Sequence, residues 1–126
     1  MSSAEKDTTN IWTQIHAINS RITTYTNAKT TVESVKRTCS MQKQNWETSF
    51  QALKKNSELS KVKKKDVFEG EMANSLSKRV SKIMSDIQAG ITKAGQLETA
   101  LNNQINRLNT KIQQLQNEKQ SWMNQL

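Results

Sequence analysis

Apolar residues recur along this chain in steps of three and four. From Ile11 the run continues through Ile15, Ile18, Ile22, Tyr25, Val32, Cys39, Trp46, Phe50 and Leu53. The steps alternate regularly once Lys29, Lys36 and Lys43 are admitted to the same line, with Val35 beside Lys36. Such a heptad stripe keeps one helix face against a neighbouring helix. A second run passes through Leu76, Val80, Ile83, Ile87, Ile91, Ala94, Leu97, Leu101, Ile105, Leu108, Ile112, Leu115, Trp122 and Leu126. Two consecutive steps of four, at Ile83-Ile87-Ile91 and at Leu97-Leu101-Ile105, depart from a strict heptad and predict local relaxation of the supercoil.

The break between the runs falls in Lys61-Val-Lys-Lys-Lys-Asp-Val-Phe-Glu-Gly-Glu-Met72. Asp66 followed three residues later by Glu69 has the form of a capping box, which starts a helix near Val67. Glu69 and Glu71 then sit at its positive end, and Lys61, Lys63, Lys64 and Lys65 at the negative end of the helix before. The pattern predicts a polar segment over residues 1–10, one helix over 11–62, a turn over 63–70 and a second helix over 71–126, in a single domain. The arms are nearly equal, each roughly 80 Å at 1.5 Å per residue. Equal arms with apolar stripes and a short connection imply an all-α antiparallel hairpin. Gly70 and the opposed capping signals disfavour one continuous helix.

A lone helix pair leaves much of its perimeter wet, and long helices draw most of their stability from a packed face. Trp12, Met41, Met84 and Met123 lie beside the main stripe. Either they widen it, or they contact a second hairpin and complete a four-helix bundle, a use that suits the adaptable methionine. With Trp46, Phe50 and Trp122 they form the candidate partner-binding set.

Composition narrows the function. Only 33% of the 126 residues are hydrophobic, with three glycines and no proline, too little core and turn chemistry for a mixed sheet. No apolar stretch is long enough to span a membrane, and Met1 to Asn10 lacks the apolar core of a secretory leader. With one histidine (His16) and one cysteine (Cys39), no metal site, internal disulfide or catalytic triad is expected. An enzyme and a cofactor are therefore not expected. Cys39, on the stripe, reads as a small buried hydrophobe. Gly90 and Gly95, flanked by Ala89 and Ala94, allow either close approach of another element or a bend.

The net charge of +8 is uneven. More than half of it gathers between Lys54 and Lys82, with a basic tip at Lys61, Lys63, Lys64 and Lys65. Such a tip suits an anionic surface or an acidic partner. Nucleic acid is disfavoured, because Phe68 is the one aromatic nearby for base stacking.

The segment Val67-Phe68-Glu69-Gly70-Glu71-Met72-Ala73-Asn74-Ser75-Leu76, set between equal amphipathic arms, resembles the WXG-type helical hairpins of the Gram-positive type VII secretion system. Those are leaderless proteins with Trp-x-Gly at the bend. More narrowly, the segment is similar to the small accessory partners of LXG-domain toxins, with Phe68 in place of the tryptophan and Gly70 as the motif glycine. The resemblance implies that Phe68 pins the bend while Gly70 allows close approach or an irregular φ. It also implies an adaptor that binds the helical N-terminal region of an LXG toxin and guides it to the secretion machinery. After Trp122 no Tyr-x-x-x-Asp/Glu signal follows, so the expectation is a cytoplasmic chain whose export, without a cleavable leader, depends on the complex. A self-assembling coiled-coil spacer and a basic-tip binder of anionic surfaces are the alternatives.

Overall fold

A computed structural model describes the backbone of residues 3–62 and 67–126, and side chains over residues 7–56, 70–72 and 74–126. The chain forms two long helices, α1 (Ser3–Val62) and α2 (Val67–Met123), which pack against each other. No strand occurs among the described residues. This is the expected all-α two-helix hairpin. Helix α1 starts before Ile11, because nothing in the polar N-terminal segment breaks a helix. Helix α2 starts at Val67, where the Asp66 cap would place it, so Gly70 lies inside a helix and not in the turn. Lys63, Lys64 and Lys65 lie outside the described residues.

By its internal contacts the chain divides into two compact units, one of Met1–Lys36 with Ala100–Leu126, the other of Arg37–Thr99. In the first unit Ile11, Ile15 and Ile18 of α1 and Leu108 and Leu115 of α2 are buried. Half-buried positions extend both lines. On α1 they are Ile22, Tyr25, Lys29, Val32 and Lys36, and on α2 Leu101, Ile105, Ile112, Lys119 and Trp122. The steps are threes and fours in strict alternation, the signature of a seam of heptad a and d positions. Each fully buried Leu or Ile contributes roughly 1.5–3 kcal/mol, and the half-buried positions add smaller amounts.

In the second unit Ile91 and Ala94 are buried. Cys39, Lys43, Phe50 and Leu53 of α1, and Val80, Met84, Ile87 and Glu98 of α2, are half-buried around them. Residues 39–46 of α1 face residues 90–98 of α2, early against late, as an antiparallel pair requires. Here the sequence-based reading needs correction. Ile83 and Leu97 are not in the seam; they stay 49% and 48% exposed, and Met84 and Glu98 take the inner positions. The seam keeps its strict alternation, so the successive steps of four mark a second apolar line beside the first and not an interruption of the heptads. Leu76, at 55% exposure, belongs to that outer line, and Leu126 too is exposed.

Two patterns of side-chain hydrogen bonding recur along these helices. Threonines return their hydroxyls to the carbonyl four residues earlier, as Thr13, Thr23, Thr24, Thr30 and Thr31 do on α1. Their polar groups are thereby satisfied within the helix instead of competing with it. On α2 the amides of Gln113 and Gln120 donate to the Oδ1 of Asn117 and Asn124 at 3.0 and 2.8 Å, one turn on. The helix closes with Gln125 and Leu126 donating three residues back, to Trp122 and Met123.

Gly90 resolves the choice left open for the small-residue patch in favour of close approach. The Trp46 indole lies across it, and a Cβ built there would stand 3.4 Å from the ring. At Gly95 the nearest atom is Lys43 Nζ, at 3.9 Å. Gly70 shows neither expected use: no described glycine has positive φ, and nothing stands within 4 Å of its Cβ direction. In a helix interior alanine is favoured over glycine by roughly 1 kcal/mol. Gly95→Ala should therefore raise stability by about that amount in urea titrations, and Gly90→Ala by somewhat less. Gly90→Leu should lower stability, because the ring must leave. Leu115→Ala, at the most buried side chain, should cost about 2–4 kcal/mol in the same assay.

Candidate helix-pairing surface

The seam of the second unit contains a polar layer. Lys43 Nζ lies 2.9 Å from Glu98 Oε1, and the Ser40 hydroxyl donates to Glu98 Oε2 at 2.5 Å. One turn earlier, the Cys39 thiol donates to the Ala94 carbonyl at 3.5 Å. Cys39 is thus half-buried and weakly hydrogen-bonded, where a small buried hydrophobe was expected. The lysines of the α1 stripe give this layer its logic. A lysine at a seam position needs its ammonium either led to water or met by an acid, and Glu98 meets Lys43. The hydrogen bond that Lys43 donates to Glu98, then the charge of that carboxylate, raises the Lys43 pKa above the ordinary lysine value.

The candidate partner-binding residues do not form one patch. Trp12, Trp122 and Met123 belong to the first unit, and Met41, Trp46, Phe50 and Met84 to the second. Phe50, Met84 and Trp122 occupy seam positions and are half-buried. Trp12 and Met123 are exposed at the seam's edge, with the Trp12 ring tilted against His16 at a centroid distance of 6.1 Å. Met41 stands exposed on the outer face of α1. The Phe68 and Lys61 side chains lie outside the described residues, whereas Lys54, Lys55, Lys78, Arg79 and Lys82 of the basic region are exposed.

What the sequence reading placed in the core, and the structure places outside it, is the line Leu76, Ile83 and Leu97. These residues recur every seven along α2, at the g position flanking the seam. The fourth member of that column is Gly90, and there the Trp46 ring, itself 36% exposed, fills the gap. An apolar stripe thus runs Leu76, Ile83, Trp46, Leu97, about 31 Å long at 1.5 Å per residue. Met72 and Leu76 form an apolar hollow at one end, with Ser75 and Arg79. On the other flank of the seam Phe50 and Ile91 floor a shallow groove with polar walls of Gln44, Glu47, Gln51 and Gln88. The clue available in the sequence was the pair of consecutive four-residue steps. They arise wherever two parallel apolar lines are threaded as one.

Single exposed apolar residues are ordinary, but a continuous line of large ones at helical spacing is the form of a helix-docking surface. Among the described residues no group of three or more His, Cys, Asp or Glu stands together, and no helix is long and apolar enough to cross a membrane.

Because the folded state raises the Lys43 pKa, its contribution to stability is whole below about pH 10.5. It is lost as the pH climbs through the raised value. Thermal unfolding followed from pH 9 to 11.5 should show this alkaline decline in the native chain, and Lys43→Gln should reduce it. Glu98→Lys should lower the melting temperature, and adding Lys43→Glu should recover part of the loss. In comparisons with known proteins, no family model, curated protein or solved structure matches this chain.

Proposed function

We propose that this chain is a helix-pairing adaptor, whose partner is the helical N-terminal region of an LXG-type toxin destined for type VII secretion. The observation that carries the reading is the stripe of Leu76, Ile83, Trp46 and Leu97, which the hairpin's own seam leaves uncovered. Covering such a line with another helix releases on the order of 25 cal/mol per Å² of apolar surface, before ordering costs. The hairpin architecture supports the same class of partner, as does the resemblance around Phe68-Glu69-Gly70, although Gly70 lies inside α2 and not at the bend. In this reading the adaptor performs no chemistry. It supplies half of a composite helical surface that the secretion machinery recognises, and it leaves the cell, if at all, within the complex.

Self-assembly into a coiled-coil spacer is the rival reading, and the net charge of +8 opposes it by setting copies against one another. Co-expression with the N-terminal region of an LXG toxin should yield a complex that survives size-exclusion chromatography at physiological salt. Light scattering should find the isolated adaptor monomeric. A stable homo-oligomer with no affinity for such a region would refute the proposal.

A further inference from the structure

The geometry points to an acidic amphipathic helix as the occupant of the Leu76–Ile83–Trp46–Leu97 stripe, laid lengthwise along α2 in the second unit. This inference rests on the adaptor reading and names the chemistry and the face of its partner. Three observations support it.

The first is spacing. The apolar side chains recur every seven residues, about 10.5 Å apart, which matches the apolar repeat of a heptad helix. An extended strand, with same-face side chains about 6.6–6.8 Å apart, does not match it. The stripe is also one residue wide. A membrane-seeking helix presents a broad apolar face, and here Asp86 stands immediately beside the line.

The second is charge. Over residues 71–97 the exposed basic side chains Lys78, Arg79, Lys82 and Lys93 stand against the exposed acids Glu71 and Asp86. Arg79 and Lys93 lie one turn from Leu76, Ile83 and Leu97, where they would meet the flanking residues of a docked helix. The Lys43–Glu98 ion pair involves none of these four cations. An acidic flank would satisfy them. A second copy of this chain, presenting the same basic flank, would not.

The third is continuity. Without Trp46 the stripe would be interrupted at Gly90, and the ring supplied from α1 makes the docking line unbroken. A partner helix therefore reads both helices of the hairpin at once, and recognises α2 only when α1 is folded onto it.

The test uses the full chain and two synthetic peptides of about four heptads with the same leucine seam. One carries glutamate and the other lysine at the flanking positions. The glutamate peptide should bind, measured by fluorescence anisotropy, and the lysine peptide should bind roughly tenfold or more weakly. Ile83→Ser with Leu97→Ser should abolish binding of the glutamate peptide, whereas Val35→Ser, at an exposed apolar residue off the stripe, should leave it unchanged. Arg79→Glu with Lys93→Glu should reverse the preference between the peptides. Circular dichroism of each variant checks that the helices persist, so a lost interaction is not mistaken for a lost fold. Equal binding of the two peptides, or binding indifferent to Ile83 and Leu97, overturns the inference. So does a stripe-dependent attachment to anionic vesicles in place of the glutamate peptide. If the LXG toxin region binds yet ignores the stripe and charge variants, the adaptor reading stands and the acidic-helix inference fails. If neither the toxin region nor the peptides bind, the adaptor reading itself fails.

Discussion

Two helices in contact can each bury only one face. That constraint governs this molecule more than any single bond. In a globular domain an amphipathic helix is covered by several neighbours, and its apolar stripe can be broad. In a lone pair the covered strip is one seam wide, and every apolar residue beyond it must meet water or another protein. The line Ile11, Ile15 and Ile18 in one unit and the pair Ile91 and Ala94 in the other show how narrow the dry region is. The remaining seam positions are half-buried, and several are lysines, whose long stems suit the edge of a narrow seam.

Under that constraint the polar and apolar outliers have a common explanation. Lys43 in the seam would be costly alone, and with Glu98 and Ser40 it becomes a hydrogen-bonded layer. Glu98 occupies an inner position because Lys43 lies opposite, and Leu97 is displaced to the flank as a result. Met84 similarly lies inside while Ile83 lies outside. In both pairs the less hydrophobic residue is the inner one, so register and charge have outranked hydrophobicity.

This is why the fold was legible in the sequence and the candidate surface only partly so. The α1 stripe from Ile11 to Leu53 could be traced residue by residue, since the three intruding lysines kept the register. Asp66 and Glu69 point to a helix start near Val67, but a turn drawn to Gly70 begins the second helix four residues late. On α2 hydrophobicity alone puts Ile83 and Leu97 in the core, and the resulting irregularity then looks like a property of the supercoil. Asking what would face Lys43 would have pointed to Glu98 and so released Leu97 to the surface. The Trp46–Gly90 contact was beyond reach, because a glycine's use depends on what another helix brings to it. Of the seven side chains expected to bind a partner, only Trp46 joins the stripe, and its role there comes from bridging a gap in α2.

The same contact has a consequence for alignment. Hairpins with a heptad repeat can slide by seven residues and still set apolar against apolar. In this one, a slip in either direction would bring the Trp46 indole against Ile83 or Leu97, whose side chains fill the place that Gly90 leaves open. The α2 column is a comb with one missing tooth, and the indole fits only there. A small absence in one helix thereby fixes the phase of the other, and with it which side chains are offered to the outside.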